Sequence, residues 1–300
     1  MATSVQNSEG RPTFEFILRQ VRDCIKDLKP FFDLVEPERL YNKSYYAECS
    51  KITESRPGVD LNQLAMCDIS FAIVFFGLSQ HDLTTFMRLY IDNYNNTFLR
   101  YIIFYLGLKP HPDHKVCANH WSNFNRDFHS EMMTAFGNDM AESQKSGLYL
   151  DRFLTERKYA YDELKKARPY KFYGGHQFKL GHYYRHLFQT VKYINEQTIF
   201  DYCEKYEFAK TLRAQLSTPE QYLLFFNSLS ITGREWEYSK IQSSPNENVN
   251  CHLITKYNLI KNIPDLYFED EILINSFYPD VHFEFRLEPD NRKALELLFK

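Results

Sequence analysis

The sequence predicts a mainly α-helical protein, a multi-helix, bundle-like single domain over 12–300 behind a polar tail at 1–11, with one short C-terminal β element. Three observations carry that expectation. Apolar residues recur at steps of three and four along most of the chain, the period of a helix with one buried face. Phe (26) and Tyr (22) are abundant whereas Gly (10) and Pro (12) are few, which favours long helices packed through rings over a turn-rich sandwich. The 300 residues, 44 % of them hydrophobic, can build a substantial core.

Taken in order, Pro12 and Thr13 open a first helix with Ile17, Val21, Cys24, Ile25 and Leu28 on its apolar face, stopping near Pro30. A loop, RPGVD at 56–60, leads into 61–78, a helix apolar nearly all round and so expected in the core. Asp82 is read as the cap of a helix from Leu83 to about Tyr94, and another runs from Asn96 to Leu106, ending at Gly107 and Pro110. Helices follow at 120–142 and 148–167, and then YKFYGG connects to a helix over about 174–194. Ile199–Gln215 is helical, and Ser217-Thr218-Pro219-Glu220 has the form of a capping box with proline in the first turn of a helix reaching toward Gly233. After an exposed loop at 242–250, CHLITKYNLIKNI resumes helical spacing up to Pro264. Two-residue alternation in FYPDVHFEFRLEPD predicts a strand there, before a terminal helix at 291–300.

The net charge of −3 gives no overall basic signal, so binding to nucleic acid or an acidic membrane must be local. Six cysteines without a CxxC pair, and no signal peptide pattern, predict reduced thiols and a cytoplasmic location. The longest apolar stretch, ISFAIVFFGL at 69–78, is shorter than the roughly 20 residues of a membrane span, so none is expected.

Chemistry concentrates in 174–194, GGHQFKLGHYYRHLFQTVKYI. Leu180, Tyr184, Leu187, Val191 and Ile194 form one apolar face, and His182, Arg185, His186 and Gln189 form a polar strip on the other. Arginine presents a planar fork of donors that matches phosphate, and histidine exchanges protons near neutral pH. His182, Arg185 and His186 are therefore the candidate catalytic residues, with His176, Lys179, Tyr183 and Gln189 as candidate ligand contacts. A buried polar network between helices would use the same residues. Gly181 in mid-helix points to a close approach by a backbone or a ligand.

Lys165, Lys166, Arg168, Lys171, Lys179, Arg185 and Lys192, interleaved with Tyr161, Tyr170, Phe172, Tyr173, Tyr183 and Tyr193, suit single-stranded RNA or a nucleotide. His111, His114, Cys117 and His120 in HPDHKVCANHW are zinc-ligand types, but Pro112 and the lack of a second ligand segment make a loop and helix start the expected reading. His182 and His186 lack an adjacent glutamate of the kind a metallohydrolase helix carries. No metal and no cofactor is expected.

Three blocks in fixed order, GGHQFKLGHYYRHLFQTVKYI, LRAQLSTPEQYLLFFNSLS and LITKYNLIKNIP, resemble the bacterial putative phage abortive infection proteins, the AbiC-like group. The likeness covers about 170–265 clearly and about 60–110 loosely. The family pattern centres on a glycine, a histidine, an aromatic pair and an arginine, here Gly181, His182, Tyr183, Tyr184 and Arg185. The resemblance implies defence against bacteriophage, in which an infected cell stops growing or dies before the phage spreads. It fixes no chemistry: an effector acting on RNA or a nucleotide and a non-catalytic module that senses a phage protein or regulates a partner toxin both remain open. Many members look membrane-tethered through N-terminal hydrophobic segments, and none is read in this sequence. Other abortive infection proteins resemble helical ribonucleases with an arginine, four to six residues and a histidine; here Arg168 and His176 have seven residues between them.

Overall fold

The computed structural model describes residues 11–111, 113–142, 147–160, 162, 171–238, 252–265, 267–269 and 271–284. The protein is mainly α-helical, and its one sheet among the described residues pairs Tyr267–Phe268 with Ile272–Leu273 in antiparallel register. Among the described residues no helix is long and apolar enough to cross a membrane. The chain divides into two compact units, one of 1–22, 56–59 and 178–300, the other of 23–55 and 60–177.

The unit built from 23–55 and 60–177 is organised on the helix Leu61–Phe76, buried at every position from Leu64 onward. Asp60 accepts from Gln63 N at 2.7 Å and Gln63 answers in a reciprocal capping box, which fixes where that helix starts. Beside it pack Lys43–Glu54 and Gln80–Tyr90, while Asn96–Leu108 packs on the long helix Lys115–Ala141, which also carries Leu148–Glu156. Rings fill the space between: Phe31 lies 5.1 Å from Phe136 and 5.5 Å from Tyr105, and Phe32 lies 5.2 Å from Phe98. Those two phenylalanines explain why the first helix, Arg11–Phe32, runs past Pro30 instead of ending there. A proline so near the end removes one backbone donor, and burying Phe31 and Phe32 outweighs it.

Two buried carboxylates hold this unit together. Asp68 accepts from the hydroxyls of Tyr90 at 2.6 Å, Tyr94 at 2.7 Å and Tyr45 at 3.1 Å. Asp139 accepts from Tyr101 at 2.6 Å and from the backbone N–H groups of Gly147, Tyr149 and Leu150 at 3.0, 3.2 and 2.9 Å. It thereby caps the helix Leu148–Glu156 from the last turn of the preceding helix. The FYGG connection has a packing role: His176 N donates to Phe75 O at 2.8 Å and Leu78 N to Tyr173 O at 2.9 Å. A β-carbon on Gly175, at φ +86°, would stand 2.4 Å from Phe76 O, so only glycine fits.

The other unit centres on the helix Thr218–Leu229, buried from Gln221 to Leu229. Phe226 packs 4.9 Å from Phe268, and Phe225 packs 5.6 and 5.9 Å from Phe277 and Tyr278. The capping box expected at Ser217–Glu220 is present: Ser217 N donates to Glu220 Oε2 at 2.7 Å.

Several boundaries differ from the sequence reading. The first helix already includes Arg11, a residue expected in the polar tail. The helix placed at Leu83–Tyr94 spans Gln80–Tyr90 with Ser79, not Asp82, at its N-cap. Gly107 lies inside Asn96–Leu108, and the segment placed at 120–142 starts at Lys115. The helix given as Ile199–Gln215 is Tyr202–Arg213, capped by Asp201, whose side chain accepts from Glu204 N. The described part of CHLITKYNLIKNI, from His252 on, is helical only over Leu253–Tyr257, because Asn258 turns into the left-handed region at φ +50°. The strand expected in 277–290 is absent from its described part, 277–284; the strands lie earlier, at 267–273. Helix 291–300 and the loop 242–250 fall outside the described residues, as do 1–10 and 163–167.

Candidate functional site

The motif helix spans Gln177–Glu196 and buries Leu180, Tyr184, Leu187 and Val191, four of the five residues expected on its apolar face, while Ile194, near its end, is half-buried. Opposite that face, Lys179, His182, Arg185, His186 and Gln189 are all exposed. At about 100° per residue these five fall within an arc of about 120°, so they form one surface strip along the helix. None of them hydrogen-bonds through its side chain to another described residue, so the alternative of a buried polar network does not apply to them. Phe178 and Tyr193, 90 % and 67 % exposed, lie on the same arc at its two ends.

The remaining two candidates do other work. Tyr183 is half-buried: its hydroxyl donates to Glu220 Oε1 at 2.7 Å and its ring lies 5.0 Å from Phe14. Burial, and then the Glu220 carboxylate, push this hydroxyl well above the usual tyrosine range, so it stays a proton donor. His176 precedes the helix and belongs to the other compact unit, where its backbone N–H is bonded to Phe75. Replacing Tyr183 by phenylalanine keeps the ring contact and removes one donor from Glu220. The expected cost is about 1 kcal/mol, read as a lower urea midpoint with an unchanged slope.

The three sequence blocks meet as one packed module. Tyr183 joins the first block to the Glu220 cap of the second. Asn195, at the end of the motif helix, accepts through Oδ1 from Lys256 Nζ at 2.8 Å and Tyr257 OH at 2.9 Å, both in the third block. Arg213, buried near the start of the second block, donates to Tyr257 O at 3.3 Å and Asn258 O at 3.2 Å. Gln221 Oε1 accepts from Asn262 N at 3.0 Å, and Phe188 packs 5.0 Å from Trp236. The fixed order of the blocks therefore reflects one core that presents one outward strip.

Sequence reasoning missed a second polar centre in the same unit. Glu237, fully buried, accepts from Thr255 N at 3.1 Å and from the Thr255 hydroxyl. Arg56 Nη2 lies 3.4 Å from Glu237 Oε1, and His252 Nδ1 lies 3.2 Å from the same oxygen. Glu237 serves the first turn of Leu253–Tyr257 as a cap carboxylate would, with Arg56 as its counter-charge. Arg56 and Glu237 stand 181 positions apart, and no local motif marks either.

Among the described residues no group of three or more His, Cys, Asp or Glu could hold a metal ion. In HPDHKVCANHW, His111 pairs with Asp113 at 3.3 Å, Cys117 is buried in the helix that starts at Lys115, and His120 is exposed. Of the basic and aromatic run, Tyr161, Lys165, Lys166, Arg168 and Tyr170 lie outside the described residues. Phe172 and Tyr173 are buried, and Lys192 sits 3.8 Å from Glu196.

No curated protein and no solved structure matches the chain at a significant level. A family model does, and the residues that it covers contain the motif helix, the Glu220 capping box that Tyr183 joins and the block that closes the core: over 175–268 the chain is similar to the family described as putative phage abortive infection protein.

Proposed function

We propose that this chain is an antiphage abortive infection effector whose working surface is the strip Lys179, His182, Arg185, His186 and Gln189, and that the strip engages the phosphate of RNA or a nucleotide. The family match over 175–268 supports the defensive role. The observation that carries the ligand class is charge. From Leu164 to Asn195 the sequence has no Asp or Glu, although the chain holds 39 of them and 32 residues of average composition would include about four. The cations on the strip thus have no acidic neighbour along their own helix before its last residue, and a phosphate would supply the missing negative charge.

The chemistry available to such a strip is proton transfer at phosphorus. His182 and His186 are one helical turn apart, and Arg185 stands three positions from His182 on the same strip. One imidazole takes the proton of a ribose 2′-hydroxyl as its oxygen attacks the phosphorus, and the other protonates the departing 5′-oxygen. Arg185 stabilises the charge that accumulates on the phosphoryl oxygens.

Alanine at His182 and at Arg185, separately, tests the reading in a phage plaque assay with the variants expressed in a bacterial host. Because both side chains lie on the outward face, circular dichroism should be unchanged and stability should stay within about 0.5 kcal/mol of the parent. Protection is expected to fall in both. Full protection in the double variant would sink the proposal, and would favour a non-catalytic module that works through another surface.

A further inference from the structure

Resting on that reading of the strip, we infer that its ligand is a single-stranded polynucleotide laid along the motif helix, with Phe178 and Tyr193 as base-stacking platforms at the two ends. The other rings of this helix are used internally: Tyr183 packs on Phe14 and Tyr184, and Phe188 packs on Trp236. Phe178 and Tyr193 have no ring partner among the described residues and are 90 % and 67 % exposed. Their position decides more than their exposure, since single exposed apolar residues are ordinary. Both fall within the arc that carries Lys179, His182, Arg185, His186 and Gln189, so from Phe178 to Tyr193 the outward face reads aromatic, cationic, aromatic, with Glu196 following on the same arc at the last residue of the helix.

The two rings are 15 residues apart on one helix, about 22 Å at 1.5 Å per residue. A single nucleotide cannot stack on both, whereas a strand of several nucleotides can lie across the cations between them. The bases must be unpaired, because a duplex keeps its base faces inside the stack and leaves only a terminal face for a ring to cover. A protein partner would need an acidic face to match the cations. RNA and DNA single strands share the required chemistry, and a 2′-hydroxyl contact would separate them.

The test is fluorescence anisotropy with labelled twelve-residue oligouridine and oligothymidine, the same oligomers annealed to complements, and uridine monophosphate as competitor. The parent protein should bind a single strand more tightly than the matching duplex, and the monophosphate should compete only weakly. Phe178→Ala and Tyr193→Ala should each weaken single-strand binding roughly 5- to 150-fold, the range for one stacked base, with Tyr193→Phe retaining it. Arg185→Ala should instead flatten the salt dependence, by about 0.7 in log–log slope for each phosphate that the arginine neutralises. If Arg185→Ala weakens binding but the Phe178→Ala/Tyr193→Ala double variant does not, the strip keeps its ligand and the stacking inference falls. Equal affinity for duplex and single strand overturns it as well. If neither strand nor monophosphate binds at all, the phosphate reading of the strip falls with it.

Discussion

Replacing Glu237 by alanine is expected to cost about 3–5 kcal/mol, because it strands the guanidinium of Arg56 in the interior. Arg56 is 8 % exposed, and the only carboxylate oxygen within ion-pairing distance of it among the described residues belongs to Glu237. The same change removes the acceptor for Thr255 N and its hydroxyl, at the start of Leu253–Tyr257. Against a total stability of about 5–15 kcal/mol for an ordinary protein, that loss leaves little margin. Urea unfolding followed by circular dichroism measures it. A double-mutant cycle locates the cause: Arg56→Met in the Glu237→Ala background should recover part of the loss, since an apolar side chain no longer needs the counter-charge. A cost below about 1 kcal/mol for Glu237→Ala would overturn the expectation, and strict additivity in the cycle would mean that the pair contributes no coupling.

The contrast between this pair and the motif helix shows what a sequence makes legible. Leu180, Tyr184, Leu187 and Val191 could be assigned to a buried face because a helix imposes a period on neighbours in the chain. The same holds for Ser217 and Glu220, whose capping box is complete within four residues. Arg56 and Glu237 obey no period, since folding alone brings them together. The misplaced strand has a related origin. Val281 and Phe283 are buried while His282 and Glu284 are less so, which reproduces strand-like alternation, but a strand also needs a partner, and alternation carries no information about one. The strip residues are legible as a set because they share a face. Tyr183 departs from its expected place because a tyrosine at the border of that face can turn inward, and Glu220 draws it there. Phe178 is hard to read for the opposite reason: an aromatic residue in an amphipathic helix is ordinarily core, and here it lies on the outward arc.

Asp68→Ala should be comparably damaging in the other unit, with function lost only through the fold. Three tyrosine hydroxyls converge on this carboxylate, from Tyr45 on Lys43–Glu54, Tyr90 at the end of Gln80–Tyr90, and Tyr94 in the turn that follows. Burial, and then the Asp68 charge, hold the Tyr94 hydroxyl well above its ordinary range, so it remains a donor that requires an acceptor. The rings are stacked as well: Phe86 lies 4.6 Å from Tyr90, and Tyr90 lies 5.9 Å from Tyr94. Each buried donor deprived of its acceptor costs about 1–3 kcal/mol, so with three donors the variant should lose at least about 3 kcal/mol and its near-ultraviolet dichroism should collapse at lower urea. Tyr94→Phe removes one of the three bonds without opening a cavity and should cost about a third as much. Asp68→Asn, which keeps the shape and one acceptor oxygen, should fall between them. Because the hydroxyls converge from separate segments, the three variants should rank in that order only if the carboxylate is the common anchor. Equal and small losses in all of them would place the stability of this unit in ring packing alone, and any loss of phage protection in a fully folded Asp68 variant would require a role for this unit that its buried hub does not supply.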